Sequence, residues 1–510
     1  MTSAAHRPAL LTLALLPVLL LLGACVAGPD YQRPAIAEPA AFRHDAGWRT
    51  VAAAMPSVQG ATAPADNGWA AFADPLLQSL VQETAEGNQT LAQAEARYRQ
   101  AVAVLGASRS DFFPQLGART SATRSGGGGS SNNNTRTTTA GTAYAASLEL
   151  SWVPDLWGRV RRQVESDQAR LQASDADRAA ARLAQQVLVA QAYFQLRIID
   201  RQNALLQRTL VSYDRALQLT RNQYEAGIVA RADVIQSETQ RESLRVQIFT
   251  LERERTQAEH AIAVLLGRAP GQWRLPPSDV PDTQAVSPGS HRALAVPAVA
   301  PQLPSELLLR RPDIVAAERQ VAAANASIGV AQSAWWPDLT LGASVGSSAS
   351  RFAQLLDTPQ RVWSLGPSLA ATLFDGGRRA AATEQAQALY DERVAAYRQS
   401  ALAAWQEVED ALSGLQSLAA QAAQQQRLVA LAQENERVVT NRYREGLVSF
   451  LELSTAQNLT YTSQRNALDT LGEQLATSVR LLAALGGGWI PTAAAAPAAA
   501  PASSASDRTK

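Results

Sequence analysis

The chain carries the same pattern of residues twice. Residues 222–240 read NQYEAGIVARADVIQSETQ, and residues 441–458 read NRYREGLVSFLELSTAQN. Other landmarks, such as the Phe113-Pro114 and Trp336-Pro337 pairs, recur at about the same offset of 220 positions, which is typical of a duplicated structural unit. Two similar faces can be arranged around a common axis, so the duplication points to an assembly with a central passage.

The N-terminus is organised as an export signal. The basic Arg7 precedes an apolar run over residues 9–22, which is shorter than the about 20 residues that a membrane-spanning helix needs. The string LGAC then ends at Cys25 and matches the bacterial lipobox. We predict a covalent lipid on Cys25 and no other cofactor; the alternative is an ordinary signal peptide with an incidental cysteine. Val26, where Asp would favour the inner membrane, favours the outer membrane.

The composition excludes several classes of protein. A formal net charge of +1 gives no basic footprint for nucleic acid. Cys25 is the only cysteine, so no disulfide can form within one chain. Ala, Gln and Arg are heavily used, which favours long helices over a large globular core.

Alternating residues predict four strands. In the second strand, apolar residues recur at every other position from Tyr144 to Trp152, which is the period of a β-strand. Polar loops over 126–139 and 347–362 join the strands in pairs. The predicted strands lie near residues 115–124, 143–152, 338–346 and 363–374.

The predicted strands suit a membrane but cannot form a barrel alone. About ten residues cross a bilayer when a strand is tilted. Four strands cannot close a barrel, and open edges are not viable in lipid, so several chains must combine their strands. Aromatic residues near the strand ends resemble interfacial girdles. The alternative is a small soluble sandwich with an aromatic core.

Very long helices follow each pair of strands. The pattern from about Arg378 to Glu445 contains no proline and predicts a helix roughly 100 Å long, which must pack against neighbours as a coiled coil. A counterpart runs over about 155–226. Gly227 and Gly446 end these helices, because glycine suits the left-handed conformation at a helix end, and a second long helix then returns. A single helix is also predicted from Pro75 to about residue 110.

These elements divide the chain into six segments. We predict a lipoprotein signal peptide, an extended lipidated arm, a first helix-strand-strand-helix-helix repeat, a proline-rich linker, a second repeat and a disordered Ala/Pro-rich tail. In the same order, the boundaries are 1–24, 25–74, 75–267, 268–304, 305–489 and 490–510.

The chemistry of a catalytic site is missing from the sequence. The four histidines are far apart, and neither a His-Glu-x-x-His motif nor a cysteine cluster supports a metal site. The string GASVG over residues 342–346 has the Gly-x-Ser-x-Gly spacing, but it lies within a predicted strand and not at the strand-to-helix turn that a nucleophile of this kind needs. The glycine run that starts at Gly126 is not followed by Gly-Lys-Ser/Thr, so a phosphate-binding loop is not favoured. We therefore do not expect an enzyme.

Several ordered strings resemble the TolC superfamily of outer-membrane channels, most closely its lipidated, OprM-like or NodT branch. They are ELLLRRPDIVAAERQVAAANASIGVAQSAWWPDLTL from Glu306, LFDGGRR from Leu373 and the two Tyr-x-x-Gly turns. The resemblance covers about residues 28–489. It implies an α+β fold: a trimer closes a twelve-stranded outer-membrane β-barrel, which a periplasmic α-helical coiled-coil barrel continues.

The same resemblance implies partners and a gate. It implies a homotrimer in outer-membrane lipid that works with a periplasmic membrane-fusion adaptor and an inner-membrane transporter, most simply of the RND type, and passively conducts small molecules. The periplasmic end would close at the two hairpin turns. The positions that match the family's gate are Tyr443, Glu452 and Thr455 on the inner pair of helices and Tyr224 and Asp233 on the outer pair. Thr455 stands where the family has a second carboxylate.

Two other functions remain compatible with parts of the pattern. One is a duct for secreted polypeptides (type I secretion), which some superfamily members form. The other is a lipid-anchored coiled-coil tether without conductance. The lipobox and the RRPDI string favour efflux over the first, and the alternating strands with aromatic borders favour a channel over the second.

Overall fold

The computed structural model describes residues 27–54, 68–128, 138–277, 294, 296–297, 308–355 and 361–489. It divides into two compact units. The sheet unit comprises Met1–Ala35, Tyr98–Ser174 and Ala317–Tyr397, and the hairpin unit comprises Ile36–Arg97, Asp175–Ala316 and Arg398–Lys510. Cys25, most of the predicted linker and the predicted tail lie outside the described residues.

Eight helices are described, and their lengths repeat. The helices are α1 (Asp45–Ala54), α2 (Pro75–Gly87), α3 (Gln89–Ser110), α4 (Arg159–Glu225), α5 (Arg231–Leu265), α6 (Pro312–Ser333), α7 (Arg378–Arg444) and α8 (Phe450–Ala484). Helices α3 and α6 have 22 residues each, α4 and α7 have 67, and α5 and α8 have 35. The long helices and their returns therefore occur where the sequence predicts them. The predicted domain boundaries stay predictions.

The first predicted helix is interrupted, so the expectation of one helix from Pro75 to about residue 110 was wrong. Asn88 lies between α2 and α3 and caps α3, because its Oδ1 accepts hydrogen bonds from the backbone N–H of Thr90 (2.8 Å) and Leu91 (3.2 Å). Its Nδ2 donates to the carbonyl of Leu265 at 2.7 Å. A Cβ at Gly87 would lie 2.3 Å from the Leu266 carbonyl oxygen, so close backbone contact selects glycine here.

The four strands form one antiparallel sheet in the sheet unit, in the order β1-β2-β3-β4. They are β1 (Gln115–Gly128), β2 (Thr138–Trp152), β3 (Asp338–Ala349) and β4 (Arg361–Ala370). All four predicted strands are confirmed, although β4 ends at Ala370 rather than at residue 374. Pro367 lies within β4 and pairs with Leu341, which is tolerated because β4 is an edge strand in this sheet.

The two units have separate cores. In the hairpin unit, large apolar side chains from several helices are buried together, among them Leu77, Leu196, Ile262, Leu475 and Val479. In the sheet unit, the small residues Ala169, Ala322 and Ala323 form a tight helix contact, with Tyr31 packed against it. Small side chains allow the two helix backbones to approach closely, whereas the core of the hairpin unit is built from larger apolar side chains. None of the helices in the described ranges combines the length and apolar content that crossing a membrane requires.

The N-terminal arm is held against the sheet unit by Arg162. Its guanidinium donates to the carbonyls of Ala27 (3.0 Å) and Gly28 (3.1 Å) and pairs with Asp30 at 2.8 Å. The arm then passes directly over α6, where a Cβ at Gly28 would lie 2.4 Å from the Cα of Gly329. These contacts hold the first described residues of the arm, 27–30, against α4 and α6.

Candidate functional site

One face of the sheet is apolar and exposed to the surroundings of the chain. The register places Leu148 opposite Val345, and Val345 opposite Trp363. These side chains are 48%, 50% and 76% exposed, respectively. Soluble monomers rarely expose a contiguous apolar face of this kind. The face therefore requires an apolar environment outside the described part of the chain.

The opposite face of the same sheet is polar. One row across it consists of Gly117, Glu149, Ser344 and Ser364, read from β1 to β4. The hydroxyl groups of Ser344 and Ser364 lie 2.8 Å apart, in hydrogen-bonding contact. A sheet with one apolar and one polar face, both accessible, separates a lipid-like environment from water. No second sheet covers either face within the described residues, so the predicted alternative of a soluble sandwich has no support.

Aromatic residues lie where the strands meet the helices. The indole N–H of Trp152 donates to the carbonyl of Phe112 at 2.9 Å, and that of Trp157 donates to the carbonyl of Pro337 at 2.8 Å. The rings of Trp157 and Trp336 are stacked, with centroids 5.0 Å apart. An indole has an apolar ring and an N–H that can donate a hydrogen bond, so these tryptophans suit the boundary between lipid and water.

The two hairpin turns in the hairpin unit have the same backbone geometry. Gly227 and Gly446 have φ angles of +75° and +73°. In the first turn, the N–H of Ile228 donates to the carbonyl of Gln223 at 2.8 Å, and in the second the N–H of Leu447 makes the equivalent bond at 2.9 Å. This pattern is a Schellman motif, which requires the left-handed conformation at the glycine. The prediction of glycine-terminated helices at both turns is confirmed.

Tyr443 is a buried link between the helices beside the second turn. Its side chain is 1% exposed, and its hydroxyl lies 2.8 Å from the hydroxyl of Thr220 on α4. The Nε2 of Gln223 donates to the Tyr443 carbonyl at 3.2 Å, and the ring packs edge-on against Phe450. Burial raises the pKa of Tyr443 above its ordinary value, so the phenol is neutral at physiological pH. The contacts to Thr220 and Gln223 therefore tie α7 to α4 close to the turn.

The matching tyrosine of the first turn has a different environment. Tyr224 is 41% exposed, and the guanidinium of Arg231 lies over its ring, 5.9 Å from the centroid. The duplicated motif therefore holds one tyrosine in a core and leaves the other at the surface. The structure brings Tyr443, and not Tyr224, into a helix-to-helix hydrogen bond.

The two acidic residues beyond the turns cap the returning helices. The carboxylate of Asp233 accepts a hydrogen bond from the backbone N–H of Ala230 at 3.2 Å. Ser449 caps α8 by accepting from the Glu452 N–H at 3.4 Å, and its hydroxyl donates to the Glu452 carboxylate at the same distance. Negative charge in the first turn of a helix is stabilising, so capping accounts for part of what these residues do.

Thr455 is exposed and bonds within its own helix. Its hydroxyl donates to the carbonyl of Leu451 at 2.7 Å. It shares the exposed surface of the first turns of α8 with Glu452. The predicted gate positions therefore all lie within a few turns of Gly227 and Gly446, but in unlike environments.

Further polar contacts between the helices were not predicted. The hydroxyl of Tyr213 donates to the side chain of Asn458 at 2.9 Å, and that of Tyr461 donates to the side chain of Gln247 at 2.7 Å. Ser454 donates to Gln240 at 2.7 Å. These partners are more than 200 residues apart in sequence. Gln240, Ser454 and Asn458 lie in the duplicated segments, but a hydrogen bond between helices so far apart in sequence leaves no local signal that identifies the pair.

A family model described as "Outer membrane efflux protein" matches this chain over residues 80–268 and 303–487. The pyoverdine export outer membrane protein OpmQ of Pseudomonas putida is 33% identical over 482 residues, which cover 94% of this chain and 97% of that protein. The probable outer membrane lipoprotein SilC of Salmonella typhimurium is 29% identical over 482 residues, covering 94% of this chain and 99% of SilC.

A solved structure gives the same result. The outer-membrane channel OprN superposes with a TM-score of 0.77 at 30% sequence identity, covering 91% of this chain and 100% of the OprN chain. A sheet with one lipid-compatible face, joined to long helical hairpins, defines a channel protein. This chain belongs to the outer membrane efflux protein family.

Family membership confirms several predictions. The chain is an outer-membrane channel component of an efflux pump, and it has the α+β channel fold. The type I secretion alternative is not favoured. The family is one of transport proteins. Within the described residues, no group of three or more His, Cys, Asp or Glu side chains is placed to hold a metal ion.

The glycine at the second turn can be tested against another glycine of the same helix. We expect Gly446→Ala to destabilise the protein by about 1–2 kcal/mol, because alanine is strained in the left-handed conformation. Gly414 lies within α7, where an added Cβ would meet only Thr477 at an ordinary 3.5 Å. Gly414→Ala should therefore be neutral or slightly stabilising. Thermal loss of helical circular dichroism measures both, and equal midpoints for the two variants would contradict the assignment.

Proposed function

We propose that three copies of this chain form a passive duct for small molecules through the outer membrane. The two faces of the sheet carry this proposal, since an apolar outer face and a polar inner face are what a barrel wall in lipid requires. Strands β1 and β4 are the two edges of the sheet. Unpaired backbone groups are not viable in the hydrocarbon region, so β4 of one copy pairs with β1 of the next until a twelve-stranded ring closes.

The duct works within a tripartite pump. We propose that a periplasmic membrane-fusion adaptor and an inner-membrane transporter of the RND type deliver substrates to it. The long hairpins support this assignment, because α4 and α7 each extend for 67 residues and end in solvent-accessible turns suited to docking. In this proposal the inner-membrane transporter supplies the energy for transport.

A covalent lipid on Cys25 anchors the chain to the outer membrane. The course of the arm supports this proposal, because Ala27 and Gly28 are already bound to Arg162 of the sheet unit. Only Val26 lies between Ala27 and Cys25, and a residue spans at most about 3.6 Å of chain. An acyl chain attached there would start close to the same unit that carries the apolar face.

Native mass spectrometry of the full protein in detergent tests both the trimer and the lipid. The expected mass is that of three chains, each lacking residues 1–24 and carrying fatty acyl groups on Cys25. Cys25→Ser should lose the acyl mass and remain a trimer, because the closed ring of strands and not the lipid holds the copies together. A folded monomer would refute the assembly. An unmodified N-terminus at another residue would refute the lipidation.

The regulated constriction lies at the hairpin turns. Long packed helices open most easily at their free ends, where the fewest contacts must break. Tyr443 is the principal contact there, since its buried hydroxyl joins α7 to α4 through Thr220. We propose that this contact favours the closed state and that threefold symmetry multiplies its effect. Glu452, and on the outer pair Asp233, contribute negative charge near the opening, while Thr455 adds none.

The role of the Tyr443 hydroxyl can be tested by comparison with Tyr224, the equivalent tyrosine of the first repeat. Tyr443→Phe should raise the open probability, because the lost hydrogen bond is worth about 1 kcal/mol in each chain. Tyr224→Phe is the matched control, since Tyr224 is 41% exposed and makes its described contact through the ring. Single-channel recording in planar bilayers measures both variants. Equal conductance of Tyr443→Phe and wild type would place the constriction elsewhere.

The charge of Glu452 can be tested separately from its capping role. Three symmetry-related carboxylates near one axis attract cations. Glu452→Gln should therefore weaken both the preference of the channel for cations and its inhibition by divalent cations. Asp233→Asn is the comparison, because it changes the equivalent cap on the other hairpin. Reversal potentials in asymmetric salt measure the selectivity. If Glu452→Gln lowers the midpoint of thermal unfolding but leaves the ion selectivity unchanged, Glu452 acts only as a helix-capping residue.

A further inference from the structure

Arginine residues mark one end of the apolar face of the sheet. Arg124 on β1 pairs with Thr142, and Arg361 on β4 pairs with Ser347, so both arginines belong to the same face as Leu148. They lie at the end where β1 connects to β2 and β3 connects to β4. Arg361 is only two positions before Trp363, which is exposed on this face. Each edge strand therefore has a cation directly beyond its apolar stretch.

Aromatic side chains lie at the same end of the face. Tyr144 on β2 belongs to the apolar face, where it pairs with Ala122 and with Ala349. The ring of Phe352 meets that of Tyr144 edge-on at 5.9 Å between centroids and is itself 73% exposed. The residue next to Phe352 is a third arginine, Arg351, which is also exposed. Aromatic rings beside cations are typical of the level at which lipid head groups begin.

The charge at this end is of one sign in the described chain. Within residues 119–128, 138–147, 346–355 and 361–362, which end at the same row of the sheet, every charged residue is an arginine. These residues are Arg119, Arg124, Arg351 and Arg361. The connecting segments outside those ranges add one charge of each sign in sequence, Arg136 and Asp357.

We propose that this end of the apolar face binds a lipid that carries phosphate groups. The acyl chains would cover the face around Leu148, Val345 and Trp363, and the phosphates would be bound by Arg124 and Arg361, with Arg351 beside them. Guanidinium groups bind phosphate oxygens in a bidentate manner, which makes arginine suited to this head group. The apolar rows begin directly beside the cations, so the site fits an amphiphile better than a free anion.

This inference rests on the proposed barrel and adds a binding site to it. In a closed ring, β4 of one copy lies beside β1 of the next. Arg361 and Arg124 are on those two edge strands and face the same side, so closure brings them to one seam between copies. A lipid bound at that seam would contact two chains at once, and the site would be incomplete in a monomer.

Lipid titration by native mass spectrometry tests the site in the full-length, detergent-solubilised protein. The probes are lipid A, which carries two phosphates, and phosphatidylcholine, which is zwitterionic. Wild type should retain lipid A in preference to phosphatidylcholine. The double variant Arg124→Gln/Arg361→Gln should bind lipid A about 25-fold more weakly, at about fivefold for each arginine. Its binding of phosphatidylcholine should not change.

Arg119→Gln is the matched control. Arg119 lies on β1 like Arg124, but it pairs with Ser147 and so faces the polar side of the sheet. The Arg119→Gln variant should bind lipid A as tightly as wild type does. A loss of binding equal to that of the double Gln variant would show an effect of net charge alone and would overturn the proposed site. The double variant Arg124→Lys/Arg361→Lys keeps the charge and should recover part of the binding. Unchanged lipid A binding in the double Gln variant would also overturn the proposal.

Two further measurements show which part of the proposal a negative result would contradict. Inorganic phosphate at millimolar concentration should not displace lipid A, and full displacement would indicate a site for a soluble anion instead. The mass of the complex and its conductance in bilayers are read on the same samples. A conducting trimer without lipid A preference would refute this inference alone, whereas the absence of a trimer would refute the proposed function as well.

Discussion

The unpaired edges of the four-stranded sheet are the constraint on which the other features depend. Within the described residues, β1 and β4 are the edges of the sheet, and each leaves a row of backbone groups without a strand partner. In water such an edge is a liability, and in lipid it is not viable. The exposed apolar face directs the sheet into lipid, so the edges can be satisfied only by other copies. In the proposed trimer, assembly is therefore a condition for the sheet to exist in its membrane.

Local patterns in the sequence were sufficient to predict most elements of the fold. The strand from Tyr144 to Trp152 follows from strict alternation, and the turns at Gly227 and Gly446 follow from the need for a left-handed residue. The break at Asn88 was missed, because its reason is the contact with Leu265, far away in sequence. A helical pattern shows which residues favour a helix, but not where another segment requires the chain to turn.

The candidate site also shows that local sequence patterns do not predict contacts between distant segments. The duplicated motif identified both Tyr443 and Tyr224, and the sequence gives them equal status. Their environments differ because Tyr443 meets Thr220 across the bundle, whereas Tyr224 lies outside any such contact with its hydroxyl. Duplication preserves a local turn, but the partners on facing helices are free to diverge. Environments that depend on facing helices can be assigned only when the packing is known.

The contacts between Arg162 and the N-terminal arm affect the order in which parts of the chain fold. The arm emerges first from the export machinery, yet its contacts are made to residues 132 to 296 positions later in the chain, at Arg162 and Asn325. Contacts over such distances in sequence form late, after the intervening helices have been closed into place. The earliest residues to reach the periplasm are thus among the last to be seated. The lipid modification proposed for Cys25 would therefore act on an arm that folding has not yet covered.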